Sequence, residues 1–159
     1  MGRRGPAKLK LIKKDPVYDS QLVTKLINKI MYSGKKTVAQ KQVYKALEIA
    51  EKKTKKKGDQ VLEEAVDNIK PDLEVRSRRI GGAAYQVPLP VGSRRKESLA
   101  IKWLVMAARK RSNSTYHTFA QKLGAELIDA YGREGGAVTK RQEIEKLAEA
   151  NRAFAHLRW

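Results

Sequence analysis

Apolar residues at Leu22, Val23, Leu26, Ile27, Ile30 and Met31 recur at helical intervals and mark one face of a helix. Asp19 or Ser20 can cap that helix, Gly34 ends it, and Lys35 and Lys36 fall in the turn beyond. Ala39, Val43, Ala46, Leu47 and Ala50 share one face of a second helix, which runs out into a solvated lysine-rich turn from Lys52 to Gly58. A third helix is expected from Asp59, as its cap, to a stop at Pro71, with Val61, Leu62, Ala65, Val66 and Ile69 facing inward.

The period then changes from that of a helix to that of a strand. Two alternating runs between Leu73 and Val91 flank Gly81-Gly82, which predicts an antiparallel hairpin. Leu73, Val75, Tyr85, Val87, Leu89 and Val91 have one sequence parity and are expected on one face, packing the base on the helices. On the first arm that parity runs out into Ser77 and Arg79, so the tip is expected to leave the core. Pro88 and Pro90 lack amide hydrogens at positions two apart, so one edge cannot donate to a further strand. An isolated two-stranded ribbon follows.

Leu99, Ala100, Ile101, Trp103, Leu104, Val105, Met106, Ala107 and Ala108 cover most of a helical wheel over about 94–111. That helix is expected at the centre, with a narrow basic stripe of Arg95, Lys102 and Arg109. Phe119, Leu123, Leu127, Ile128 and Tyr131 give a fifth helix, broken at Gly132 and Gly135-Gly136. A sixth segment from about Val138 carries Ile144, Leu147, Ala148 and Phe154. The expected fold is mainly α: a single-domain bundle of about six helices with one protruding two-stranded antiparallel β-ribbon at about 73–91. Residues 1–14 read as a basic arm, with Gly2, Gly5 and Pro6 against regular structure, and residues 15–159 as the helical domain.

Charge sets the function class. Lys and Arg total 35 against 17 Asp and Glu, a net charge of +18. Such an excess costs self-repulsion and is relieved by binding polyanions. The candidates are Arg3, Arg4, Lys8 and Lys10 in the arm, Lys35 and Lys36 in the turn, and Arg76, Arg78 and Arg79 on the ribbon. Arg94, Arg95, Lys96, Lys102 and Arg109 on the fourth helix complete the set. Guanidinium forks match phosphate, and contacts of this kind bind with little regard to base sequence. The ribbon arginines are expected far from most acids, and Lys102 reads as an unexplained charge in an apolar helix. Acids cluster instead at Glu63, Glu64, Asp67, Asp72 and Glu74 and at Glu143, Glu145 and Glu149, which suggests a side turned toward protein neighbours.

Aromatics make up 6% of the chain, too few for a single-strand binder that stacks base after base, and suited to a reader of folded RNA shape or of duplex backbone. Tyr85 fits core packing better than base stacking. Cysteine is absent, so disulfides and thiolate metal sites are excluded. His117 and His156 have no partner at ligand spacing, neither glycine pair ends in a phosphate-loop Lys-Ser/Thr, and no nucleophile–base constellation is visible. An enzyme, a metal and a cofactor are therefore not expected. No apolar run approaches the roughly 20 residues of a membrane span, and the cytoplasm is the expected compartment.

Several stretches together carry a family resemblance. They are Arg3-Arg4-Gly5-Pro6, Asp15-Pro16-Val17-Tyr18, Lys25-Leu26-Ile27-Asn28-Lys29, Gly34-Lys35, Leu73-Glu74-Val75, Arg78-Arg79-Ile80-Gly81-Gly82-Ala83, Tyr85-Gln86-Val87-Pro88, Arg95, Trp103-Leu104-Val105 and the tail from Ala148 to His156. End to end, the chain resembles the bacterial small-subunit ribosomal protein seven family. The resemblance implies a helical bundle with an extended ribbon that binds the 3′ major domain of small-subunit ribosomal RNA and nucleates assembly of the subunit head. It implies a place near exit-site transfer RNA and messenger RNA, with Arg78, Arg79, Gly81, Gly82 and Tyr85 of the ribbon nearest them. It also implies ribosomal protein eleven and other head proteins as neighbours. RNA contact by Lys102 and Arg109 rests on the helical wheel alone. A rival reading is a free regulator that binds messenger RNA or DNA.

Overall fold

The computed structural model describes residues 11–157. Six α-helices and one hairpin follow in chain order: α1 Gln21–Ile30, α2 Lys36–Thr54, α3 Gly58–Ile69, β1 Leu73–Ile80, β2 Ala83–Pro90, α4 Ser93–Lys110, α5 Phe119–Tyr131 and α6 Gly135–Ala150. A 3-10 helix, Arg152–Leu157, closes the described chain. Every apolar position assigned to the inner faces of α2 and α3 is buried, and so are Val23, Leu26, Ile27 and Ile30 of α1. These side chains meet Ala100, Ile101, Leu104, Val105 and Ala108 of α4 and Leu123 and Leu127 of α5 in one core. The expected bundle with a ribbon is the fold observed.

Three local expectations are corrected. The lysine run after residue 51 is not all turn: α2 continues to Thr54, Lys55 takes the left-handed conformation (φ 57°), and α3 begins at Gly58. Lys57 is the residue that precedes that helix, so Asp59 lies in its first turn rather than at its cap, where its charge still suits the helix N-terminus. Gly135 and Gly136 start α6 instead of separating it from α5, because a side chain of α5 reaches over to hold the new helix end. Glu126 Oε1 accepts the Ala137 amide at 2.9 Å, and its Oε2 accepts from Arg111 Nε at 2.7 Å. Asp129 also pairs with Arg111, so the end of α4 and the start of α6 are tied to α5 by one ionic knot. Burial would lower the Arg111 pKa, but these carboxylates more than offset it and hold the guanidinium firmly charged.

The ribbon is the ribbon expected, with a different distribution of faces. Gly81 (φ 57°) and Gly82 (φ 89°) form a two-residue turn in the left-handed conformations that a hairpin of this length requires. That loop pairs Ile80 with Ala83 and, further down, Val75 with Pro88 and Leu73 with Pro90. Odd-numbered residues of β1 therefore oppose even-numbered residues of β2, and a common sequence parity places side chains on opposite faces. Leu73 and Val75 share a face with Pro88 and Pro90, while Val87 and Tyr85 lie with Glu74, Arg76 and Arg78. Both faces are used at the base: Glu74, Val87 and Pro88 are all buried. Val91 donates its amide to the Asp72 carbonyl at 3.0 Å, which fixes the alternation and leaves the two prolines at pairs that exchange no hydrogen bonds. Tyr85 packs on Phe154 of the 3-10 helix with ring centroids 5.2 Å apart.

Candidate nucleic-acid interface

The root of the ribbon is a buried carboxylate between two guanidinium groups. Glu74 Oε1 accepts from Arg76 Nε at 2.7 Å, and Oε2 accepts from Arg95 Nε at 2.6 Å. Burial alone would raise the Glu74 pKa, but the hydrogen bonds from Arg95 and Arg76 bring it below the usual carboxylate value. The Arg95 bond ties β1 to the first turn of α4. Both arginine side chains stay about half exposed (55% and 53%), so each keeps N–H groups on the solvent side. Lys96 pairs with Asp72 at 2.5 Å beside them. The expectation that the ribbon arginines lie far from carboxylates is thus corrected for Arg76; Arg95 and Lys96 are ion-paired as well. The acids Glu74 and Asp72 do not form a separate side; they orient the cations next to them.

A second group gathers where the chain enters the bundle. Asp15 is buried and accepts from the Tyr44 hydroxyl at 2.8 Å and from the Val17 amide at 3.1 Å. Burial and the bond to Asp15 push the Tyr44 hydroxyl up to about 12. This anchor fixes the segment before it against α1 and α2. Lys13, Lys14 and Lys36 consequently line one shallow hollow, and Lys25, Lys29 and Arg94 line the next, with Ile12 common to both. Lys25 is held by Glu97 of α4 at 2.7 Å. Lys25 and Lys29 lie in a stretch that carries the family resemblance but are not among the sequence-derived contact candidates. They lie four residues apart on the polar side of α1, but a helix with a polar outer face is the ordinary case.

The third group follows α4. Arg95, Lys102 and Arg109 are all exposed, as the wheel predicts, but the stripe is wider than expected because Met106 is 45% exposed. Lys102 therefore stands in solvent, one turn from exposed Met106. Arg109 reaches the Ile30 carbonyl at the end of α1 at 3.4 Å and shares a cleft with Lys35. Arg78, opposite Tyr85, and Arg79, opposite Ala84, lie toward the outer end of the ribbon. Neighbour by neighbour, the cations connect the entering segment to the α1–α2 turn, the outer stripe of α4 and the ribbon. Arg3, Arg4, Lys8 and Lys10 lie outside the described residues.

A rigid helical body with a connected basic surface and an ion-paired cationic ribbon defines a scaffold protein of the polyanion-binding class. The comparisons with known proteins are specific. Residues 2–152 match the family described as ribosomal protein S7p/S5e. The chain is 52% identical, over the whole of both sequences, to small ribosomal subunit protein uS7 of Caldicellulosiruptor saccharolyticus. It is 50% identical over the same full coverage to the protein of that name from Pelagibacter ubique. With that from Thermosipho melanesiensis it shares 49% identity over 99% of each chain. The chain belongs to the ribosomal protein S7p/S5e family, whose members are structural, non-enzymatic components of the ribosome.

Proposed function

We propose that this small-subunit ribosomal protein binds the 3′ major domain of the subunit's RNA directly and organises assembly of the head in the cytoplasmic ribosome. The observation that carries the reading is the connected run of cations from Lys13 and Lys36 through Arg94 and Arg95 to the ribbon, mounted on a buried core. Phosphates are met by Lys35, Lys36, Arg76, Arg78, Arg79, Arg94, Arg95, Lys96, Lys102 and Arg109, joined by the arm residues Arg3, Arg4, Lys8 and Lys10. The ribbon, with Arg78, Arg79, Gly81, Gly82 and Tyr85, lies near exit-site transfer RNA and messenger RNA. Ribosomal protein eleven and other head proteins are its protein neighbours.

Contacts of this sort fix position more than they read sequence, which suits a protein that holds a folded RNA in shape. Chemical footprinting of small-subunit ribosomal RNA, with and without the protein, tests the reading. Protection confined to the 3′ major domain is expected; protection elsewhere, or none, overturns it. Sucrose-gradient sedimentation is expected to place nearly all of the protein with small subunits, whereas a mainly free pool would favour a regulator.

A further inference from the structure

Between the end of α1, the first turn of α2, the end of α4 and the start of α5 lies an apolar cleft of about 240 Å³. Its floor is apolar: Ile30 is almost fully buried, and Phe119 is half-buried. Tyr32 and Val38 border it and are 81% and 53% exposed, more apolar surface than a solvated turn needs. Lys35 and Arg109 stand at the same cleft, and the Arg109 guanidinium is held there by its bond to the Ile30 carbonyl. Gln42 uses its carboxamide oxygen to accept the Ala120 amide at 3.0 Å, so the donor end of that group remains for a ligand edge.

We propose that this cleft receives a single unstacked nucleobase from a bulge or loop of a folded RNA. The inference rests on the RNA-binding reading above and adds a base-binding subsite to it. The volume lies below the roughly 300–1,000 Å³ of sites for drug-sized ligands, so the space suits one ring system and not a peptide segment. The apolar walls and the Tyr32 ring take the face of a base, as aromatic and apolar side chains do for bases splayed out of an RNA helix. Lys35 and Arg109, at the opening, meet the flanking phosphates, and the Gln42 amide donates to an acceptor on the base edge. One such subsite agrees with the low aromatic content, since a lone extruded base needs one platform and not a row of them.

The test uses the full-length protein and two RNA hairpins, one fully paired and one carrying a single bulged 2-aminopurine. The bulged hairpin is expected to bind about tenfold tighter, with a change in 2-aminopurine fluorescence on binding. In Tyr32→Ala/Val38→Ser that preference disappears while affinity for the paired hairpin is kept, because both residues are exposed and neither is charged. Equal affinity of the unaltered protein for the two hairpins, or a preference that survives in the double variant, overturns the subsite. Failure of the unaltered protein to bind either hairpin at low salt would overturn the underlying RNA-binding reading instead.

Discussion

Glu74 shows how one residue can serve stability and orient half-exposed cations together. Its carboxylate is buried, so its charge is tolerated only because Arg76 and Arg95 complete its hydrogen bonds. Glu74→Gln is expected to cost about 1–2 kcal/mol near neutral pH, discounted because both arginines are half exposed. The sign with pH follows from the lowered folded-state pKa. The charged form favours folding above the usual value of 4.5, and that contribution is lost as pH falls through the folded pKa. Urea midpoints of the parent and the variant are therefore expected to differ near neutrality and to converge in acid. Lys102 makes the opposite case. It is exposed on α4, so Lys102→Met is expected to change stability by no more than about 0.5 kcal/mol. If it meets a phosphate, the same variant lowers the salt slope of RNA binding by about 0.7–0.9, measured by titration at several ionic strengths.

Elements pack closely where α5 crosses α2. A Cβ at Gly124 would lie 3.1 Å from Ile49 Cγ2 and 3.2 Å from the Ala46 carbonyl oxygen. Gly124→Val is expected to push the two helices apart at a cost of about 1–3 kcal/mol, read from the shift in the urea midpoint. This close crossing could not be read from the sequence, where Gly124 is one glycine in an amphipathic helix. The inner faces of the helices were legible because Val43, Leu47, Leu62 and Val66 keep a period that only a helix satisfies. The ribbon was legible through its glycine pair, but its faces were not, because which residues share a face depends on the register that the turn imposes. Ion pairs were the least legible. Glu74 and Arg95 are separated by 21 positions and meet only once the hairpin has turned back onto α4. The charged stripe of α4 was visible on a wheel, whereas the cleft beside Tyr32 needs ends from four helices and has no linear signal.

At the scale of the whole molecule, a net charge of +18 gives salt opposite effects on the free and bound states. Added salt screens self-repulsion, so the melting temperature of the free protein is expected to rise with ionic strength. The same addition weakens RNA binding steeply, because it reduces the gain from releasing counterions. Arg78→Ala/Arg79→Ala is expected to leave the first trend in place and flatten the second by about 0.7–0.9 for each phosphate that is no longer neutralised. Thermal melts and binding titrations over one salt series check both. An exposed hairpin is also a hazard in any protein made ahead of its partner, since bare strand edges invite further strands. Here Pro88 and Pro90 sit at the pairs that leave the ladder intact, so their missing amides are those of the outer margin of β2, and that stretch also lies against the end of α6 and the 3-10 helix. An unassembled copy therefore presents no donor amide at Pro88 or Pro90 to seed a fibril, and its net charge of +18 keeps it dispersed until RNA takes up that charge.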